Sequence, residues 1–220
     1  MSLPPDASIG FWHLIYLALE NASPRNQAGQ TSRTFYRYRP NPTPRVIMSA
    51  KQDSITFNLV QLREIAREDD RAVELLVQRV MSEFGCVGSG FSIVDPELQQ
   101  MYESYSDDKA DFYVLEYGHE ILGCGGVAPL VGGAVDTCEL RKMYFDRRIR
   151  GIGWGRKLLT TCLNRAKELG FRHCYLETVR AMDAANRLYQ KAGFVELDSS
   201  LGATGHTGCD RWYSIDLATW

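Results

Sequence analysis

Three glycines at alternate positions, Gly151, Gly153 and Gly155, separate a strand-like run from a helix-like run, and they restrict what this chain can become. Before them, Thr137 to Phe145 has the apolar content and length of a strand. After them, Leu158, Leu159, Cys162, Leu163, Ala166 and Leu169 recur at helical spacing, and Gly170 ends the run. Glycines at a strand-to-helix junction permit a tight turn and a close approach to the backbone. The helix start contributes unpaired N–H groups and the positive end of its dipole. The combination predicts an anion site sized for a phosphate or pyrophosphate.

Two familiar phosphate motifs do not fit. A Walker loop needs Gly-Lys followed by Ser or Thr, but here Gly155 is followed by Arg156, Lys157 and Leu158. A dinucleotide fingerprint needs G-x-G-x-x-G or Ala in last place. Starting at Gly151 that place is Arg156, and starting at Gly153 it is Leu158. The fingerprint also opens a parallel βαβ unit, whereas here Phe112 to Tyr117 and Ile121 to Ala128 flank Gly118-His119 and predict a hairpin. What remains is R-x-x-G-x-G at Arg150, Gly153 and Gly155.

Periodicity organises the rest. Ile55, Phe57 and Leu59 alternate with polar residues and predict a strand. Val73, Leu76, Val77, Val80, Met81 and Phe84 predict a helix capped by Asp69 or Asp70 and ended at Gly85. Asp95-Pro96-Glu97 opens a second, short helix. His173 to Val179 is a strand, Ala184 to Ala192 a helix stopped by Gly193, and Arg211 to Leu217 a closing strand. The order β-α-α-β-β-β-α-β-α-β-β predicts an α+β layered sandwich with one crossover, between the fourth and fifth strands.

Residues 1–47 differ. They hold six of the eight prolines, five Arg, no Lys and two acids. Such a stretch is expected to be a poorly ordered extension, or sequence upstream of a start at Met48, with the folded domain over 48–220. Its apolar run, Ile9 to Leu19, is too short to span a bilayer and lacks a basic flank and a cleavage site. The whole chain carries 25 basic and 27 acidic residues, which gives no electrostatic case for nucleic acid or an anionic membrane as partner. Its six cysteines show no C-x-x-C spacing and predict buried free thiols in a reducing cytosol, so the chain is expected to be soluble and cytoplasmic. His206-x-x-Cys209 has no companion ligands at metal-site spacing, so no metal is expected.

The R-x-x-G-x-G loop in this setting resembles the coenzyme A loop of the GNAT superfamily, and Glu139 to Leu159 resembles its strand 4–loop–helix 3 block. A second block agrees: Leu188-Tyr189-Gln190-Lys191-Ala192-Gly193-Phe194 is similar to the LYxKxGF signature. The resemblance covers about residues 55–217. It implies a mixed, mostly antiparallel sheet splayed at strands 4 and 5, flanked by about four helices. It implies transfer of an acetyl group from acetyl-coenzyme A, as co-substrate, to a primary amine of a small molecule or protein, by direct attack in a ternary complex. It implies that Met143, Tyr144, Phe145, Arg150, Gly151, Ile152, Gly153, Trp154, Gly155 and Arg156 contact the co-substrate, the oxyanion donors being backbone N–H groups near Met143 and Phe145. A homodimer is common among such proteins.

The resemblance also assigns chemistry. Glu139 stands where several members carry a general base, although it could equally form an ordinary ion pair with Arg141. Tyr189 matches the tyrosine that protonates the departing thiolate. A phenol with a pKa of about 10 can donate to a thiolate whose conjugate acid sits at about 8.5. Seven residues before that tyrosine many members have Asn; here it is Met182, and no pantetheine role transfers to it or to Asn186. His206, in the loop before the last strand, either touches the acceptor or is solvated. Two rival readings are an acyl-coenzyme A sensor without turnover and an enzyme using a different acyl donor.

Overall fold

A computed structural model of the chain describes residues 55–220, which fall within one compact unit, Lys51–Trp220. The expected extension over 1–47 lies outside the described residues. The elements are β1 (Gln61–Glu64), α1 (Asp70–Glu83), α2 (Met101–Ser104), β2 (Asp111–Tyr117), β3 (Glu120–Pro129), β4 (Thr137–Phe145), α3 (Trp154–Glu168), β5 (His173–Thr178), α4 (Asp183–Lys191), β6 (Val195–Leu197) and β7 (Arg211–Asp216). The sheet has seven strands in the order β1-β2-β3-β4-β5-β7-β6. All neighbours are antiparallel except β4 and β5, the pair joined by the α3 crossover.

Both faces of the sheet are covered, which is why Ile121 to Ala128 is buried throughout rather than alternately. On one side Val73, Leu76, Val77 and Val80 of α1 meet Phe112, Val114 and Cys124. On the other, Leu158, Leu159, Cys162 and Leu163 of α3 meet Val127, Leu140, Cys174 and Tyr213. All six cysteines are free thiols, and only Cys209 is not fully buried.

One element differs from expectation. The strand predicted over Ile55 to Leu59 is a short 3-10 turn at Phe57–Leu59, and β1 forms downstream. Phe57 stacks on Trp154 with ring centroids 4.2 Å apart, and pairing with β2 begins only at Gln61 opposite Glu116. The helix cap also works differently. Asp69 precedes α1, but its carboxylate accepts from the Ala66 N–H and from the Arg63 guanidinium.

The β4–β5 ladder is short. It pairs Thr137, Cys138 and Glu139 with His173, Cys174 and Tyr175. Beyond it, β5 continues along β7 to Thr178 while β4 continues along β3 to Phe145. A register shift opposite Cys124 to Gly126 breaks the β3–β4 ladder, and Lys142 there takes a φ of 53°, rare for a side chain other than glycine. The two central strands therefore fork, and the β5-facing edge of β4 from Leu140 to Phe145 has no strand opposite it.

Candidate active site

The glycine loop closes the fork at one end. Gly151 and Gly153 have φ of 78° and 107°, and α3 starts at Trp154. Among the described residues, the backbone N–H groups of Gly151, Ile152, Gly153, Trp154, Gly155 and Arg156 have no acceptor; the next one, Lys157, bonds to the Gly153 carbonyl. Six successive unpaired N–H groups at a helix start suit an anion. A Cβ on Gly155 would stand 3.2 Å from Leu188 of α4, so a larger residue there would narrow the space between the helices.

Four of these residues, Gly151, Gly153, Gly155 and Arg156, line a cleft of about 720 Å³ between β4, α3 and α4. Met143, Tyr144, Phe145, Arg150, Gly151, Gly153, Gly155 and Arg156 all line it, with Tyr189 at its inner end. Its lining is mostly apolar, and its charged members are Arg150, Arg156, Arg187, Lys191 and Asp183. A long ligand with an apolar arm and several negative charges fits those donors and that balance, as coenzyme A would.

A second, smaller cavity of about 50 Å³ lies on the other side of the fork. Met143, Tyr144, Met182 and Tyr189 line both spaces, so the two meet there. The small cavity is walled by Glu139, Arg141, Lys142, Glu177 and His206. Glu139 accepts from Arg141 Nε at 2.6 Å, and Arg141 also stands 3.9 Å from Glu97. Burial nevertheless keeps the Glu139 pKa above the ordinary carboxylate value, against the pull of Arg141. Lys142, with only 1% of its side chain exposed, is held by Asp95 and by Glu97 at 2.7 Å. Glu177 accepts from the Tyr175 hydroxyl at 2.8 Å and the Thr204 hydroxyl at 2.9 Å.

Tyr189 is buried, with its ring tilted against Phe194 and Tyr213. Its hydroxyl has no hydrogen-bond partner among the described residues, and burial raises its pKa, so it carries its proton at neutral pH. Unlike it, Tyr144 is tied down, 2.8 Å from the Ser92 hydroxyl and 2.9 Å from the Met81 sulfur.

The Acetyltransferase (GNAT) family model matches residues 65–194 of this chain, more than half of its length and spanning both the glycine loop and the tyrosine motif. The chain belongs to the GNAT acetyltransferase family. This GNAT chain is 39% identical over 150 residues to the "Uncharacterized N-acetyltransferase YjgM" of Escherichia coli, covering 68% of this chain and 90% of that one. It is 29% identical over 145 residues to an uncharacterized N-acetyltransferase of Schizosaccharomyces pombe, covering 66% and 85%. Among solved structures, an acetyltransferase from Streptococcus agalactiae has a TM-score of 0.63 at 15% identity, covering 73% of this chain and 99% of that one. A "putative acetyltransferase" from Salmonella typhimurium, solved with its cofactor acetyl-CoA, has a TM-score of 0.57 at 18% identity, covering 72% and 94%. At those identities the two structures attest the GNAT fold, and family membership makes the chain an acyltransferase.

Within this GNAT domain the expected residues divide by what their side chains do. The Arg150 guanidinium donates to the Phe145 carbonyl at 2.8 Å and sits 2.9 Å from Glu83 of α1, so it ties the loop to its flanks. The Trp154 ring is a core side chain among Val60, Leu115, Leu122 and Ile149, while Ile152 is exposed. Neither residue is among those lining the cleft, and what each can offer a ligand there is its unpaired backbone N–H. Asn186 is spoken for: its amide donates to the Val179 and Met182 carbonyls and its oxygen accepts from Tyr213.

Sequence reasoning missed Asp95, Glu97, Arg141, Lys142 and Glu177 as members of one cluster. Asp95-Pro96-Glu97 reads as a helix opening, and its 3-10 turn at Pro96–Gln99 is real. Lys142 left one usable signal: it is one of three charges, with Glu139 and Arg141, inside the strand Thr137–Phe145. Among the described residues no group of His, Cys, Asp and Glu is placed to hold a metal, and no helix is long and apolar enough to cross a membrane.

Proposed function

We propose that this protein transfers an acetyl group from acetyl-coenzyme A to a primary amine by direct attack in a ternary complex. The observation that carries the reading is the junction of two unlike spaces at Tyr189: a large cleft rimmed by unpaired N–H groups and a small cavity walled by buried charges. Bound acetyl-coenzyme A supplies an activated thioester.

The N–H groups of Gly151 to Arg156 would hold the pyrophosphate, with the backbone at Ile152 and Trp154 taking part although their side chains do not. The unpaired edge of β4 near Met143 and Phe145 would present N–H donors to the oxyanion, a term worth several kcal/mol in comparable sites, about 2.7–4. Tyr189 would give its proton to the departing thiolate. Glu139, the carboxylate expected from the sequence to act as base, has one oxygen engaged by Arg141. Burial raises its pKa above the ordinary carboxylate value, which makes it a stronger proton acceptor than an exposed carboxylate. The acceptor is an amine of a small molecule or a protein, and free thiols suit a reducing, cytoplasmic setting.

Incubating the chain with acetyl-coenzyme A and a panel of amines, with thiol detection, tests the reading. Amine-dependent thiol release is expected. Binding of acetyl-coenzyme A without release for any amine would instead indicate a sensor.

A further inference from the structure

We propose that His206 is the group that takes the proton from the acceptor ammonium, through Nδ1, with Asp95 as the positioning residue. The role rests on the acetyl-transfer reading above. His206 Nε2 stands 3.0 Å and 3.3 Å from the two oxygens of Asp95. That carboxylate is also bound by Lys142 Nζ. Burial disfavours its charge, but the His206 and Lys142 partners outweigh that and hold it ionised. An ionised carboxylate only accepts. Nε2 must therefore carry its hydrogen in both states of the ring, and the lone pair of the neutral imidazole sits on Nδ1.

Nδ1 is on the Glu177 side of the ring. It lies 4.0 Å from Glu177 Oε2, too long for a hydrogen bond, and both residues wall the small cavity that Tyr189 also reaches. Thr204 ties the two residues together by donating to Glu177 Oε1 and accepting from the backbone N–H of His206. An ammonium entering between them meets the negative Glu177 Oε2 and the basic Nδ1 together. Glu139 offers less, because Arg141 occupies one of its oxygens.

Protons balance as follows. One N–H bond of the ammonium breaks as Nδ1–H forms. The freed nitrogen pair bonds to the thioester carbonyl carbon, and the C–S bond breaks. The thiolate takes the Tyr189 proton, Tyr189 is restored by the second proton from the new amide nitrogen, and His206 returns its proton to water. Products are the amide, the thiol and one proton.

The groups facing the imidazole are Asp95 ahead of the 96–99 turn, Glu139 and Lys142 on β4, Glu177 on β5 and Cys209 on its own loop. The Asp95 hydrogen bond, the largest influence, raises the His206 pKa above its ordinary value despite burial.

Two measurements test this. The first needs no substrate: nitrogen NMR of the histidine-labelled chain, with His206 assigned by its loss in His206→Gln. The neutral ring should be the Nε2–H tautomer with a pKa above the ordinary value, and Asp95→Asn should lower that pKa. A neutral Nδ1–H tautomer overturns the proposal.

The second is the pH profile of kcat/KM, using the fastest of n-butylamine, cadaverine, spermidine and Nα-acetyl-lysine. The unsubstituted chain should level off above the His206 pKa. His206→Gln, which can still donate to Asp95, should lose roughly 100-fold at neutral pH, and its activity should keep rising about tenfold per pH unit as free amine forms. A His206→Gln profile parallel to that of the unsubstituted chain overturns the proposal alone. Absence of thiol release by the unsubstituted chain with every amine overturns the acetyl-transfer reading, and this role with it.

Discussion

Glu139 of β4 and Tyr175 of β5 form the last rung of the parallel ladder, and the fork that makes the site opens immediately beyond them. From that rung Glu139 meets Arg141, while the Tyr175 hydroxyl reaches forward to Glu177. The two carboxylates thus flank the fork from opposite strands. The larger cleft lies on the same open edge, where Met143, Tyr144 and Phe145 are unpaired on their β5 side.

Gly153→Val should weaken coenzyme A binding by roughly tenfold or more. A φ of 107° is strained for any β-branched residue, at a cost of about 1–3 kcal/mol, and the loop would shift to relieve it. Calorimetry with coenzyme A on the folded variant measures this. An unchanged affinity would remove the loop from the binding site.

Tyr189→Phe should lower kcat by roughly 100-fold with little change in coenzyme A affinity. The hydroxyl has no partner among the described residues, so its removal leaves no protein group unsatisfied, and the ring contacts with Phe194 and Tyr213 remain. Equal losses in kcat and kcat/KM would mark an interaction made only in the transition state. A variant as fast as the parent protein would rule out the acid role.

Glu139→Gln separates two bases. With His206 taking the proton, this variant should be slowed less than His206→Gln and keep the levelling of the parent pH profile. If its deficit instead shrinks steadily as pH rises, Glu139 is the base. The sign follows from the substrate: a variant without its base uses only free amine, whose fraction grows with pH, while the parent's Glu139, its pKa raised by burial, accepts a proton only when ionised.

Lys142→Met should destabilise the fold by about 3 kcal/mol, the low end for removing one partner of a buried ion pair. The substitution keeps side-chain bulk but leaves Asp95 and Glu97 without their shared cation. Urea unfolding at neutral pH reads the change. The same variant should also raise the imidazole pKa of His206, because the Lys142 charge opposes the protonated ring, and the rise should be visible in the same nitrogen spectra.

Local signals carried most of the fold. The β4, α3 and α4 boundaries follow from apolar spacing and from Gly170 and Gly193, whose φ of 86° and 98° end their helices. Each such feature depends on a handful of adjacent residues and their own backbone preferences. The failure at Ile55 to Leu59 has the opposite cause: the alternation is real, but Phe57 is claimed by Trp154, far along the chain.

The sequence by itself determined that a strand, a glycine turn and a helix would build an anion site, and that a tyrosine helix would follow it. Only the tertiary structure decided which charges gather around the small cavity. Asp95 and His206 are 111 positions apart, Lys142 reaches Asp95 across 47, and Thr204 reaches Glu177 across 27. No periodicity connects such positions. They meet because β4 bulges at Lys142, β5 parts from β4 after Tyr175, and the loop before β7 folds into the opening. Their charges become strong partners because water is largely excluded there, a consequence of packing that no short stretch of chain encodes.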